Sequence, residues 1–456
     1  MSASLLAHLQ HGLTRIAKIS PRVLESPPTQ PRRASVALIL HVRPAEEDEA
    51  WLRSKWRHGQ VKDEDDAYLF PSTMQQDANG TMGVEARLRQ FFALPWVQRG
   101  TPELLLIKRA VRANDNWSSL VSFPGARRDE EDENVLYTSM RETWEEVGID
   151  LAEKEFLHVG HLEDREITSS LGKRLLMILS PYIFLHLSPF SPTPSLQPSE
   201  VSSLHWVPLS QLFTPTPRWG TLHMDVARHM PQNSYMRSML SMLIGQITFR
   251  SIQLPNTPTA ITMAMARDHF AHLAKPPPAK EAEEEEDTFL LNAEQQAYLG
   301  QVTPRLQLWG LTLGMTLDLL SHMSTYQREK PPPEPPTIHA LKSLFSILPS
   351  SRLFGDAYSA PAKAPSVVEV FPRFGYPDIN LWLWVFGWRY RAILRKWRQS
   401  IGTELERQAH WSGLAIAAFY SCVRRALIVA LVLRAMGLVS LVSLGGYLGW
   451  RRLYRL

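Results

Sequence analysis

Residues 122–150 read SFPGARRDEEDENVLYTSMRETWEEVGID. A helix is predicted over residues 135–147, stopped by Gly148. On it Glu142, Glu145 and Glu146 stand at i, i+3 and i+4, so three carboxylates share one helical face. Like charges this close repel, and a hard divalent cation is the simplest compensation. Mg²⁺ takes oxygen ligands and commonly bridges carboxylates to substrate phosphates. For an isolated E-x2-E-E a solvated acidic face is the commoner reading; here the acids sit inside a longer pattern, FPG followed by RE-x2-EE-x-G. Arg141, one turn before Glu145, is placed to pair with that carboxylate and orient it. Gly125 supplies a tight turn that brings the incoming loop against the helix, and Pro124 stiffens the approach.

Taken whole, the stretch resembles the Nudix box, G-x5-E-x7-R-E-U-x-E-E-x-G-U with U aliphatic. Arg141, Glu142, Glu145, Glu146, Gly148 and Ile149 match it position for position, while Thr143 stands where an aliphatic residue is usual. The distance from Gly125 to Arg141 is longer than the general pattern. It is similar to the coenzyme A diphosphatase subgroup, whose FPGG motif here reads FPGA, with Ala126. The early acid of the box falls on Glu131 or Asp132. Residues 109–124 (RAVRANDNWSSLVSFP) resemble the subgroup's upstream motif, with Ala110 and Ser118 as departures, and are closer to a related group with a DPWSG-like version.

The resemblance implies an α/β fold, a Nudix α/β/α sandwich with a mixed sheet and two insertions. It implies hydrolysis of a diphosphate linkage with Mg²⁺ or Mn²⁺ as cofactor. Glu142, Glu145 and Glu146 are the implied metal ligands. Glu145 is ligand or base, oriented by Arg141, and Glu200 is a second acid for the base role, its plain alternative being a solvated loop residue. Arg109 and Arg112 are candidates for substrate phosphates, as are Lys173 and Arg174; exposed loop Arg is the commoner reading. Gly125 and Gly148 are structural. The implied substrate is a small-molecule nucleoside diphosphate derivative such as coenzyme A or acyl-CoA. The competing readings are a sanitising or nucleotide-sugar Nudix enzyme, and a membrane-tethered binding protein with weak or no catalysis.

Outward from the box, strands are predicted at residues 35–42 (SVALILHV), 103–108 (ELLLIK), 156–162, 174–187 and 203–207, and a short helix at 209–213. Residues 306–323 carry helical periodicity. The expected Nudix domain covers residues 34–325, with insertions at 45–100 and 256–303. In the second insertion PPPAK is followed by EAEEEED, a solvated acidic run whose residues 275–303 are expected to be dispensable. Residues 1–33 form a basic extension whose first 24 residues lack any acid. Its helix over residues 4–19 is either a mitochondrial transit peptide or a frayed N-terminal helix.

Residues 326–370 are a Pro-rich linker containing KPPPEPPT. Residues 371–411 form an aromatic and basic helical segment, suited to a membrane interface or to packing on the domain. Residues 412–456 are a hydrophobic tail. Within it residues 426–450 are apolar apart from Arg434 and a few Ser, long enough to cross a bilayer. An unpaired arginine near the bilayer centre costs about 2.5–3.5 kcal/mol. A helix lying on the surface is the alternative. The expected location is intracellular and membrane-associated through the C-terminus, with a mitochondrion suggested by the N-terminal segment.

The chain has 456 residues with hydrophobic and charged fractions of 44% and 21%, near globular averages, which excludes a disordered protein overall. A net charge of +4 gives no electrostatic case for a nucleic-acid partner. Cys422 is the single cysteine, so an intramolecular disulfide and a cysteine-based metal site are both excluded.

Overall fold

The computed structural model describes residues 2–18, 21, 23–57, 83–110, 120–169, 174–214, 217–225, 245–255, 305–323, 373–400 and 409–453. Arg112, Lys173, the acidic run at 275–303 and the Pro-rich stretch at 326–370 lie outside the described residues.

The main sheet is mixed and has seven strands: β1 (Arg33–Arg43), β2 (Thr101–Arg109), β3 (Val121–Ser122), β4 (Phe156–His161), β5 (Arg165–Ser169), β6 (Arg174–His186) and β7 (Val201–Pro208). β1 lies parallel to β6, with Ile39 opposite Phe184, and antiparallel to β2, with Leu40 opposite Leu104. β7 covers the other edge of β2, and β4 and β5 share the other edge of β6. The β1–β2 pairing stops at Leu40/Leu104, and β3 takes over the same edge of β2 at Ile107 and Lys108. Residues 121–127 therefore fill the split between the two central strands. Ala37 N donates to Pro124 O (2.9 Å), and Ser35 N to Ala126 O (2.9 Å).

Strand alternation assigns the two faces. Ala37, Ile39, Leu105, Ile107, Phe184 and Leu204 pack with Val147, Ile149 and Leu151, at the end of helix α5 (Val135–Val147). Val36, Leu38, Leu40, Leu104 and Leu106 face the larger core on the opposite side. That core is closed by helices α1 (Ser2–Lys18), α3 (Val84–Ala93), α4 (Pro95–Arg99) and α7 (Gly310–Met323). Two further helices are α2 (Glu46–Arg57) and the single-turn α6 (Leu209–Leu212). The result is the expected helix–sheet–helix sandwich.

Two segments expected at the periphery supply core. The acid-free first segment is α1, with Leu9 and Leu13 fully buried and Gly12 against Met323 of α7. The stretch expected as an insertion at 45–100 contributes Leu88, Phe91, Trp96 and Val97, all essentially inaccessible to solvent. Amphipathy in sequence says that a helix has an apolar face; it does not say what covers that face.

A second, four-stranded sheet was not foreseen. β9 (Gln246–Leu254) carries β8 (Trp219–Asp225) on one edge, and β10 (Leu306–Trp309) and β11 (Arg373–Phe374) on the other. The helical periodicity at 306–323 thus begins with a strand and turns into α7 at Gly310, whose φ is 62°.

Three helices follow: α8 (Pro377–Phe386), α9 (Trp388–Ser400) and α10 (Trp411–Leu453). They are docked on the sandwich. His410 Nε2 donates to Asp164 O (2.7 Å), Ser412 N to Glu163 Oε2 (3.3 Å), and buried Arg165 pairs with Asp318 of α7 while lying over the Trp397 ring at 5.8 Å.

Candidate functional site

Helix α5 starts at Asn134, whose side chain accepts a hydrogen bond from Tyr137 N at 2.8 Å. It ends at Gly148, whose φ of 70° suits glycine and whose N–H donates to Trp144 O at 2.8 Å. The Ser/Pro loop before β7 caps the same end: Ser195 N donates to Val147 O (2.9 Å) and Gln197 N to Glu146 O (3.0 Å). These caps bring Glu200 to the turn beside the end of α5, with Ala110 N donating to Glu200 O at 2.7 Å.

The three carboxylates of the box separate in space. Glu142 and Glu146 are buried; Glu145 turns outward and accepts from Arg141 Nη1 at 3.0 Å. Gly125 N donates to Glu146 Oε2 at 2.8 Å. Gly125 has φ 135°, and a Cβ there would strike Ser35 O. The glycine thus lets the loop press against β1 and aim an N–H at the carboxylate.

Arg141 is held by Asp132, an acid that sequence reasoning left undecided against Glu131. Arg141 Nε and Nη2 donate to the two Asp132 oxygens at 2.8 and 3.0 Å, a two-pronged pairing. Asp132 also accepts from Asp129 N (3.0 Å) and the Thr138 hydroxyl (2.9 Å). Asp132 is buried and Glu131 is exposed. The early acid of the box is therefore Asp132. Arg141 also reaches Glu142 Oε1 at 3.0 Å, so one guanidinium ties the loop to two of the box acids.

The electrostatics follow from this packing. The Arg141 guanidinium holds the Asp132 carboxyl down at about 2. Burial pushes Glu142 up to about 7, opposed by Arg141. Burial pushes Glu146 up to about 8; the Gly125 N–H and Arg109 oppose the shift, and Glu142 and Glu200 add to it. Glu146 is thus a desolvated carboxylate within electrostatic reach of two other acids and of Arg109, which ends β2. Of the sequence-named residues, Glu142, Glu146, Glu200, Arg109, Gly125 and Arg141 come together here.

Among the described residues no three His, Cys, Asp or Glu side chains converge into a ready-made metal cage. The donors present still fit Mg²⁺ or Mn²⁺, because such ions are commonly held by one or two carboxylates with the remaining positions left to water and substrate phosphate. Glu142 and Glu146 are two buried oxygen donors whose ionised forms are compensated only in part, by Arg141 and by the Gly125 N–H and Arg109, and a cation would complete the balance.

Residues 87–226 match the family model of the NUDIX domain. The match begins within α3 and so leaves out β1, which lies inside the sheet. The chain is 29% identical to an uncharacterized protein of Schizosaccharomyces pombe over 256 residues, 56% of this chain and 64% of that one. It is 36% identical to a peroxisomal coenzyme A diphosphatase of Caenorhabditis elegans over 97 residues, 21% of this chain and 38% of that one. It is 42% identical to a mitochondrial coenzyme A diphosphatase of Mus musculus over 53 residues, 12% of this chain and 25% of that one. The chain spans less than two thirds of the length of each of these relatives. Members of the family generally need divalent metal ions. The box geometry on α5 and the matched segment show that the chain carries a Nudix domain, and over short stretches that domain is similar to coenzyme A diphosphatases.

Proposed function

We propose that this domain hydrolyses the diphosphate linkage of a nucleoside diphosphate derivative, coenzyme A or an acyl-CoA being the first substrates to try. The observation that carries the reading is the pair of buried carboxylates, Glu142 and Glu146, with the Gly125 N–H aimed at the second. Buried acids of like charge cost stability unless a cation or a proton neutralises them, and such pairs cluster at functional sites. Relatives named as coenzyme A diphosphatases support the substrate class.

Glu142 and Glu146 would hold Mg²⁺ or Mn²⁺, which when bound neutralises diphosphate charge and makes water a better nucleophile. The remaining work falls to the chain. Water oxygen attacks one phosphorus, the bridging P–O bond breaks, and the leaving phosphate departs with its electron pair. The water proton goes to an acid of this site, Glu145 or Glu200. Arg141, locked by Asp132, fixes Glu145, and Arg109 attracts substrate phosphate. The test is a panel of coenzyme A, acyl-CoA, nucleotide-sugar and oxidised nucleotide substrates with Mg²⁺ and with Mn²⁺, resolved by product chromatography. Release of a phosphoadenosine monophosphate and a phosphopantetheine from a CoA substrate supports the reading. Turnover of nucleotide sugars alone moves the substrate class, and no turnover of any substrate leaves the binding-protein reading.

We also propose that the C-terminal tail associates with a membrane. In α10, residues 411–451 are long and apolar enough to cross a bilayer. Residues 435–451 are exposed at every position, so the apolar surface runs round the whole helix. Fused to a soluble reporter, residues 426–456 should sediment with membranes; a reporter that stays in the soluble fraction in ordinary buffer contradicts this.

A further inference from the structure

Resting on that membrane reading, we propose that the bilayer takes only the free half of α10, beginning at Arg434, and that the partner is a bilayer thinner than average. In sequence, residues 426–450 offer an apolar run about 37 Å long at 1.5 Å per residue. The fold withdraws the first part of that run from lipid. Val423, Ala426 and Ala430 are buried, and Val423 and Ala430 pack with Phe374, Ile379 and Phe419. Up to Arg434, then, α10 belongs to the protein's own packing.

The level of Arg434 is fixed by the second sheet. Arg434 Nε and Nη2 donate to the two Asp378 oxygens at 2.9 and 2.6 Å, and the guanidinium lies 4.3 Å from the centre of the Tyr376 ring. Tyr376 packs on Gly245, Gly375 N donates to Gln246 O at 2.7 Å, and Arg373 pairs with Thr248 across β11 and β9. Arg373, Gln246 and His223 are exposed at this end of the sheet. Such groups lose their hydrogen-bond partners in hydrocarbon, so this end of the sheet stays in water or among headgroups. Asp378 holds Arg434 at the same level, and hydrocarbon begins beyond it.

From position 435 to 451 every residue is exposed, and none between Arg434 and Arg451 is charged. A groove on another protein covers one face of a helix; only a surrounding solvent covers every face, and acyl chains are that solvent. The Ser440 hydroxyl donates to Met436 O at 2.9 Å, so it is satisfied within the helix. Tyr447, Trp450 and Arg451 stand at the far end of the free segment, and Tyr376 with Arg434 at the near end. Aromatic and basic residues in these two places fit headgroup layers. The rise from Arg434 to Arg451 is about 25 Å. An average hydrocarbon core is about 30 Å thick, and the thinner cellular bilayers are about 27 Å. Docking has shortened the span, and the tail fits a thin membrane.

The full chain is reconstituted with phosphatidylcholine vesicles whose unsaturated acyl chains have fourteen, eighteen or twenty-two carbons, and is pelleted after alkaline carbonate. Retention should be severalfold higher on the shortest chains than on the longest. Four leucines inserted between Val442 and Ser443 lengthen the free segment by about 6 Å and should move the optimum to longer chains. In a second arm Ile428→Cys, Val432→Cys, Leu438→Cys and Leu441→Cys are each made in a Cys422→Ser background and treated with a membrane-impermeant maleimide. All four positions are exposed in the protein itself. Vesicles should protect positions 438 and 441 and leave 428 and 432 open to labelling. Protection of 428 and 432 as well, retention indifferent to chain length, or an optimum that the insertion does not move overturns the boundary at Arg434 and the short span. Labelling at 438 and 441, or a parent that stays soluble with every vesicle, overturns the underlying membrane reading.

Discussion

Gly125 adopts φ 135° where a Cβ would collide with Ser35 O, and the same residue's N–H is a hydrogen-bond partner of Glu146. Gly125→Ala is therefore expected to push the loop off β1, lowering stability by about 1–3 kcal/mol and activity with it; denaturant unfolding beside a turnover assay measures both. Asp132 makes a second case. Asp132→Asn removes charge-assisted bonds to Arg141 and should cost about 1.5–3 kcal/mol. Its carboxyl is held at about 2 against an ordinary 3.8, so its contribution is complete above pH 3.8 and lost as pH falls toward 2. The parent should accordingly lose stability across that window, and Asp132→Asn should lose less. Equal losses in the two proteins would show that Asp132 does not carry the effect. Arg141, Glu142, Glu145 and Glu146 were legible in the sequence because their spacing is fixed by one helix. Asp132 was not, because Glu131 and Asp132 are neighbours on a loop and only tertiary packing decides which points inward.

At the scale of elements, α5 was predicted with its observed bounds because the spacing of its acids and a stopping glycine agree; the Asn134 cap that starts it was seen only in the structure. α1 shows the opposite case. A basic amphipathic helix is the common signature of a targeting peptide and of a core helix with a solvated edge, and only its neighbours distinguish them. Leu9 is fully buried among residues of the larger core. Leu9→Ala should lower stability by about 2–5 kcal/mol, read as a shifted denaturant midpoint. A shift below 0.5 kcal/mol, the range of surface substitutions, would mean that α1 is detached in solution. The second sheet escaped the sequence reading for a related reason. Its centre, β9, is QITFRSIQL, in which polar residues interrupt the alternation, and its partners come from segments far apart in the chain.

The whole molecule couples these parts more tightly than the sequence implied. The Pro-rich stretch suggested a tethered tail, yet the helices around it dock on the sandwich through Glu163, Asp164 and Arg165. A polar joint of that kind leaves no periodic apolar signal to read. Two histidines in the sandwich, His41, which is buried, and His322, which is half-buried, are pushed down to about 3, chiefly by desolvation. Both are neutral in the fold and protonate near 6.5 once unfolded, so their contribution is complete above pH 6.5 and drains away as pH falls toward 3. Stability measured from pH 7 to 4 should decline, and His322→Gln should flatten part of the slope; an unchanged slope would mean that His322 carries none of it. The central claim is that two buried acids on α5 make this domain a metal-dependent diphosphatase. Its most direct test is the Mg²⁺ titration of turnover for the full chain and for Glu146→Gln on the substrate selected by the panel. Mg²⁺-dependent hydrolysis by the parent and a loss of about a hundredfold or more in a folded Glu146→Gln protein are predicted, whereas equal turnover by the two proteins, or turnover indifferent to Mg²⁺ and Mn²⁺, would contradict it.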